Sequence, residues 1–303
     1  MKLAIIVVYL VSEDNEKLLR IHLNKIKENT TSSFTIYAGT NLLLPQFVNK
    51  LKKYDFVKLF KYNNYIGQNE NRRGAKEHTY YLEQLIKAAI DDGVSHIAIL
   101  HPDSFPIKIG WETYLEDKLS ETCALVSIFP QMSSCMFFNR EFYLKYQPRL
   151  LPTAQEEQSL SWINFQKTNL ADNLVETGMG HSYKTFLEKL DWYKLNRTNR
   201  GEYHNHFGSI FEDIVFHLGS ASEYKSRPMT GYSNDSTFHY LKQVSVNILP
   251  VGIKNKLKNI IPDKLLYPEV KKNKSDFIKI RDLLLNDTED FLNFLRNGHK
   301  SIN

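Results

Sequence analysis

The chain has 303 residues, 42% of them hydrophobic and 24% charged, the balance of a folded protein with a substantial core, which excludes wholesale disorder. A formal charge of +5 at pH 7, with lysines interspersed among acids, falls short of the dense basic face of a nucleic-acid binder and argues only for anionic ligands. The two cysteines, Cys123 and Cys135, lack metal-ligand spacing and suit buried packing in a reducing cytoplasm.

The opening run "MKLAIIVVYL" is too short for a signal peptide, has no small-residue cleavage site and passes straight into the acidic "SEDNEK", so it reads as the first strand. No segment approaches the roughly 20 apolar residues of a membrane span. "NEKLLRIHLNKIKEN" follows with Leu18, Leu19, Ile21, Leu23 and Ile26 at helical spacing. Then come a strand "FTIYAG", a short helix "LPQFVNKLKKY", a strand "FVKLF" and a polar loop "KYNNYIGQNENRRG". The next segment, "AKEHTYYLEQLIKAAIDDG", has a helical period and ends on a glycine. It feeds the strand "SHIAIL". Strands alternating with helices imply a mostly parallel, helix-covered sheet. The last of these strands stops at His101-Pro102-Asp103-Ser104. Such residues make an ordinary turn, or they deliver a carboxylate to the carboxyl edge of the sheet, where open α/β folds bind ligands.

Beyond Asp103, "GWETYLEDKLSE" reads as helix, "CALVSIF" and "SCMFFN" as strands, and "NREFYLKY" opens a helix. Residues 147–173 show no clear pattern, and a helix is expected from Lys184 to Leu195. "SIFEDIVFHLGSAS" ends in a Gly/Ser turn just after His217. From about Leu249 the chain is Lys-rich and interrupted by Pro250, Pro262 and Pro268, which suits two or three short amphipathic helices.

The N-terminal "IIVVY", the loop holding Gly67 and an Asn-Arg-Arg run before a helix, "LHPDSFP" after a strand, "ETG" and the late "FHLGSAS" stand in the order used by family 2-like glycosyltransferases of the A-type fold. The chain resembles that family over roughly residues 3–225. Members commonly carry a DxD or Leu-Asn-Pro-Asp motif at the strand end, where this chain has His101, Pro102 and Asp103. The resemblance implies a Rossmann-like, mostly parallel sheet flanked by helices. It implies a catalytic domain over 1–248, with a donor half of about 1–120 and an acceptor half of about 121–248. A basic helical C-terminal extension, 249–303, lies outside it. The activity implied is transfer of a sugar, hexosyl in type and with inversion, from a nucleotide-diphosphate sugar to a glycan or lipid-linked acceptor. Bacterial surface polysaccharide assembly in the cytoplasm is the expected setting.

Breaking a sugar–phosphate bond builds charge on the diphosphate, so a divalent cation, Mn2+ or Mg2+, held by carboxylate oxygen is a direct stabiliser. Asp103 supplies one ligand and His217 a second, unless His217 is a hydrogen-bonded core histidine. His101, where relatives have an acid or amide, contacts ribose, binds the metal weakly or packs. Arg72, Arg73 and Lys76 lie at a loop-to-helix junction that favours the donor diphosphate, or they form a solvated basic cluster. By the resemblance Tyr9, Ser12 and Glu13, after the first strand, meet the nucleobase and ribose. By the same resemblance Glu176 falls where an inverting enzyme needs a base, with Thr177 in place of a second acid and Asp172, Asp191 and Asp213 as substitutes. The alternative role for Glu176 is to flank a helix N-terminus. Trp162 and Trp192 are candidates to stack a sugar. The Lys-rich tail suits peripheral contact with an anionic membrane, or a solvated helical cap or an oligomer contact. Two other functions remain open: a nucleotidyltransferase, although "YLVSEDNEK" lacks its Gly-rich loop, and a non-catalytic nucleotide-sugar-binding module, which His101 keeps in play.

Overall fold

A strand covered on both faces needs apolar residues throughout, and β1 (Lys2–Val8) meets that demand, buried at every position after the first. Its even positions, Ala4, Ile6 and Val8, enter one apolar cluster, and its odd positions, Leu3, Ile5 and Val7, enter another on the opposite face. The computed structural model describes residues 1–11, 13, 16–67, 72–129, 132–170, 175–199, 208–218 and 282–297. α1 (Glu16–Asn29) turns Leu19, Leu23 and Ile26 into the odd-face cluster. β2 (Ser33–Gly39) then pairs in parallel with β1, from Lys2 opposite Ser33 to Val8 opposite Gly39. α2 (Pro45–Leu51) leads to β3 (Val57–Phe60), again parallel. α3 (Arg73–Asp91) packs Leu82, Leu85, Ile86 and Ala89 on the even face, and Gly93, at φ 69°, carries the chain out of the helix into β4 (His96–Leu100).

After β5 (Ser104–Pro106) and α4 (Trp111–Glu116) come β6 (Cys123–Ile128) and β7 (Cys135–Asn139). Next follow α5 (Arg140–Tyr146), α6 (Ala154–Glu157), α7 (Leu160–Asn169), α8 (Met179–Leu187) and β8 (Asp191–Leu195). The seven-stranded sheet has the order β3-β2-β1-β4-β7-β6-β8. β7 runs against both its neighbours, and β8 is parallel to β6. This is the mostly parallel, helix-flanked sheet expected from the alternating sequence pattern.

Two features differ from expectation. The helix expected over Lys184–Leu195 begins earlier, after Gly178 at φ 103°, and ends by Lys189, whose φ of 56° turns the chain. Residues 191–195, rich in β-forming aromatics, instead form the edge strand β8. A second sheet, β5-β10-β9, is also present, made with β9 (Ser209–Phe211) and β10 (Val215–His217). In it Phe216 stands opposite Phe105 and His217 opposite Ser104.

The chain divides into two units, Met1–Thr198 with Ile210–Ser222, and Asn199–Ser209 with Glu223–Asn303. In the second, residues 282–286 are helical and α9 (Thr288–Asn297) buries Phe291, Leu292, Phe294 and Leu295. Its acids Glu289 and Asp290 stand in the first turn and Arg296 in the last, the favourable sense for the helix dipole. The rest of the expected extension, 249–281 and 298–303, lies outside the described residues. Among the described residues no helix is long and apolar enough to cross a membrane.

Candidate functional site

β4 is buried to its last residue, Leu100, and the chain then turns, with the Ser104 N–H donating to the His101 carbonyl at 3.0 Å. That turn holds Asp103 at the carboxyl edge of the large sheet, only 4% exposed. The second sheet brings His217 to it: β10 is antiparallel to β5, and the Leu218 N–H donates to the Asp103 carbonyl at 3.0 Å. His217 Nε2 lies 3.7 Å and His101 Nδ1 4.0 Å from Asp103 Oδ1. One ligand atom from each of the three residues falls within 4.8 Å of the others.

β7 supplies the floor. Because it runs against β4, its first residue Cys135 pairs with Leu100, and the residues before it reach the same edge. Ser133 Oγ is 2.8 Å from His101 Nε2, and Ser134 Oγ is 3.1 Å from His217 Nε2 and 3.3 Å from His101 Nδ1. His78 on α3 meets the His101 ring edge-on, with centroids 5.1 Å apart. Burial pushes His101 down to about 4, although Asp103 pulls the other way, and it lowers His217 for the same reason. His78 is pushed to about 3 by burial and by His101 beside it. The shifts of His101 and His217 favour the neutral ring, in which each can offer a lone pair. One carboxylate and two neutral imidazoles converging in this way fit a divalent cation.

The remaining expected residues distribute unevenly. Tyr9 is wholly buried, its ring edge-on to His22 and its hydroxyl 3.3 Å from His22 Nδ1, so it belongs to the core and offers no ligand surface. Glu13 is exposed beside α2, where Gln46 donates to it at 3.4 Å. Ser12 and Asp172 lie outside the described residues. Arg72, left-handed at φ 59°, is committed to Glu157 at 2.6 Å, while Arg73 is exposed and Lys76 part-buried in the first turn of α3. Thr177 Oγ1 reaches the Ala75 carbonyl at 3.4 Å and Thr79 Oγ1 at 3.5 Å, which sets Glu176 beside the N-terminal half of α3. Burial raises the Glu176 carboxyl.

Asp191 opens β8 opposite Cys123, the start of the parallel strand β6, and therefore sits at the far edge of the sheet from Asp103. Asp213 is a turn residue at φ 55°, accepting from Thr198 Oγ1 at 2.9 Å. Trp162 packs in the core with Phe165 and Tyr183, whereas Trp192 is half-buried, donating to Ser127 Oγ at 2.8 Å under the Lys194 ammonium.

His78, Ser133 and Ser134 were not anticipated. His78 stands three and four residues before the buried Tyr81 and Leu82, so it extends the core stripe of α3 toward the carboxyl edge. That spacing is a signal in the sequence. The two serines had none, because their placement depends on the reversal of β7.

The sequence matches no protein-family model and no curated protein. Among solved structures it is similar to a mannosyltransferase from Pyrobaculum calidifontis in complex with GDP-Man and Mn2+, at 12% identity and a TM-score of 0.37, over 50% of this chain and 48% of that one. It is also similar to mouse xyloside xylosyltransferase 1, at 12% identity and a TM-score of 0.40, over 66% and 88%. A third is a galactosyltransferase in complex with donor and acceptor sugar analogs, at 10% identity and a TM-score of 0.38, over 84% and 100%. The chain thus spans about half the length of the mannosyltransferase.

Proposed function

We propose that the chain is a nucleotide-sugar glycosyltransferase of the A-type fold. One observation carries the reading: a buried carboxylate within 4.0 Å of two imidazoles at the carboxyl edge of an open α/β sheet, where such folds bind ligands. Asp103 and His217 would hold the divalent cation, with His101 beside them. The cation, when bound, supplies positive charge to the diphosphate as it departs.

The chain's own groups do the rest. Arg73 and Lys76 add charge in the first turn of α3, whose N–H groups carry no side-chain cap. Glu176 takes the proton of the acceptor hydroxyl as its oxygen bonds to the anomeric carbon, and the bond from that carbon to the diphosphate breaks, inverting the centre. The upward pull of burial on Glu176 suits a group that must accept a proton. Within this reading the acceptor is a glycan or lipid-linked sugar of bacterial surface polysaccharide assembly, met at the cytoplasmic face of the membrane.

The test is the melting temperature of the full chain with GDP or UDP, with and without Mn2+. A cation-dependent rise with one of them is expected. No rise with either nucleotide would overturn the reading.

A further inference from the structure

We infer that His101 is a metal ligand through Nδ1, and that this makes the site selective for imidazole-preferring cations such as Zn2+ and Co2+ over Mg2+. The inference rests on the cation-dependent reading above and goes on to specify which cation the residues select.

His101 Nε2 is 2.8 Å from Ser133 Oγ, the shorter of the ring's two serine contacts. A proton on Nε2 donated to Ser133 leaves the Nδ1 lone pair facing Asp103 Oδ1 and Ser134 Oγ. Ring orientation is held a second way, by the edge-on contact of His78. This is the arrangement of a ligating histidine whose second nitrogen is fixed by an outer partner.

The spacing agrees. Ligands about 2.1 Å from a tetrahedral zinc stand roughly 3.4 Å apart. The two gaps to Asp103, 3.7 and 4.0 Å, need about half an ångström of closure, and the gap between the two imidazole nitrogens, within 4.8 Å, closes by up to about 1.4 Å as the rings turn toward the ion. The Ser134 hydroxyl, 3.1 and 3.3 Å from the two ring nitrogens, would give up those contacts as the rings turn their lone pairs to the ion.

Selectivity follows from the donor set. Imidazole nitrogen suits Zn2+, Co2+ and Fe2+, whereas Mg2+ demands oxygen ligands and sheds water reluctantly. Two nitrogens and one oxygen therefore disfavour Mg2+. Three protein ligands also leave positions open for phosphate oxygens.

The experiment is calorimetric titration of the metal-free full chain with the chlorides of zinc, cobalt, manganese and magnesium, without nucleotide, with the visible spectrum of the cobalt form reporting nitrogen ligation. Zn2+ and Co2+ are expected to bind once, Mg2+ not measurably, and Asp103→Asn should remove the binding. Every site prefers later metals to some degree, so the ratio of affinities decides. In His101→Asp the preference for Zn2+ over Mn2+ should shrink by about tenfold or more. Ser133→Ala keeps all three ligands and should weaken Zn2+ binding by about 10–100-fold, which provides the comparison if the aspartate variant does not fold. The inference is overturned if no cation binds, if wild type binds Mg2+ as tightly as Zn2+, if His101→Asp keeps the wild-type ratio, or if Ser133→Ala binds Zn2+ as wild type does. Ranked metal binding with no binding of GDP or UDP would leave this inference standing and sink the glycosyltransferase reading. Nucleotide binding with no binding of any of the four cations would do the reverse.

Discussion

Asp103→Asn keeps the size of the side chain and the backbone carbonyl that accepts from Leu218, and removes only the charge. Asp103→Asn is therefore expected to lower sugar transfer by about 100-fold or more, the scale of a lost charge on a metal-assisted leaving group, while the melting curve stays near that of wild type. Wild-type turnover in the variant would move the site elsewhere. Glu176→Gln is expected to slow turnover by about 10²–10⁴-fold with donor affinity unchanged. The sign of its pH dependence is set by burial: the carboxyl is raised, and only its ionised form accepts a proton, so the rate falls as pH drops through a pKa above the ordinary glutamate value. In the glutamine variant that acid limb should vanish from the pH–rate profile. That Asp103 and His217 stand at one edge could be proposed from the sequence because each follows an apolar run, and the structure brings them within 3.7 Å of each other. The place of Tyr9 could not, since a tyrosine closing a buried strand looks the same whether its ring enters a pocket or the core.

β1, α1, β2 and α3 left a period that can be read and emerged close to expectation, whereas α7, ten residues long, lies in the stretch that showed none. The strands β5, β9 and β10 have three residues each, too few to show alternation, yet their pairing is what brings His217 to Asp103. The boundary between α8 and β8 was missed for a related reason, because a helical period run forward from Lys184 hides the left-handed turn at Lys189. Before Lys189, α8 makes its own tight contact: a Cβ on Gly180 would stand 2.3 Å from the Arg149 carbonyl. Backbone cannot yield as a flexible side chain does, so Gly180→Ala should cost about 1–3 kcal/mol. Chemical denaturation would show this as a lower midpoint with an unchanged slope, and an unshifted midpoint would mean that the helix slides away at no cost. Because α8 follows Glu176 directly, the same variant should lose transfer more than cation binding.

For the whole molecule the open question is what the basic tail does. Its sequence places Lys254, Lys256, Lys258, Lys264, Lys271, Lys272 and Lys274 among leucines and isoleucines, a composition that suits the surface of an anionic bilayer. A lipid-linked acceptor would be reached most readily by an enzyme held there. Near such a surface each lysine contributes about 1 kcal/mol, so exchanging Lys254, Lys256 and Lys258 for glutamate in the full chain should remove about 3 kcal/mol or more, over 100-fold in binding. Co-sedimentation with phosphatidylserine-containing vesicles measures this directly. Wild type should pellet at low salt and release at high salt, because the attraction is screened beyond a Debye length, and it should ignore neutral phosphatidylcholine vesicles. The altered protein should stay in solution throughout. Transfer to a soluble acceptor should be the same in both proteins, since the three lysines lie outside the residues assigned to the reaction. Equal pelleting of wild type and variant, or binding indifferent to vesicle charge, would remove the membrane role and leave the tail as a solvated cap or an oligomer contact.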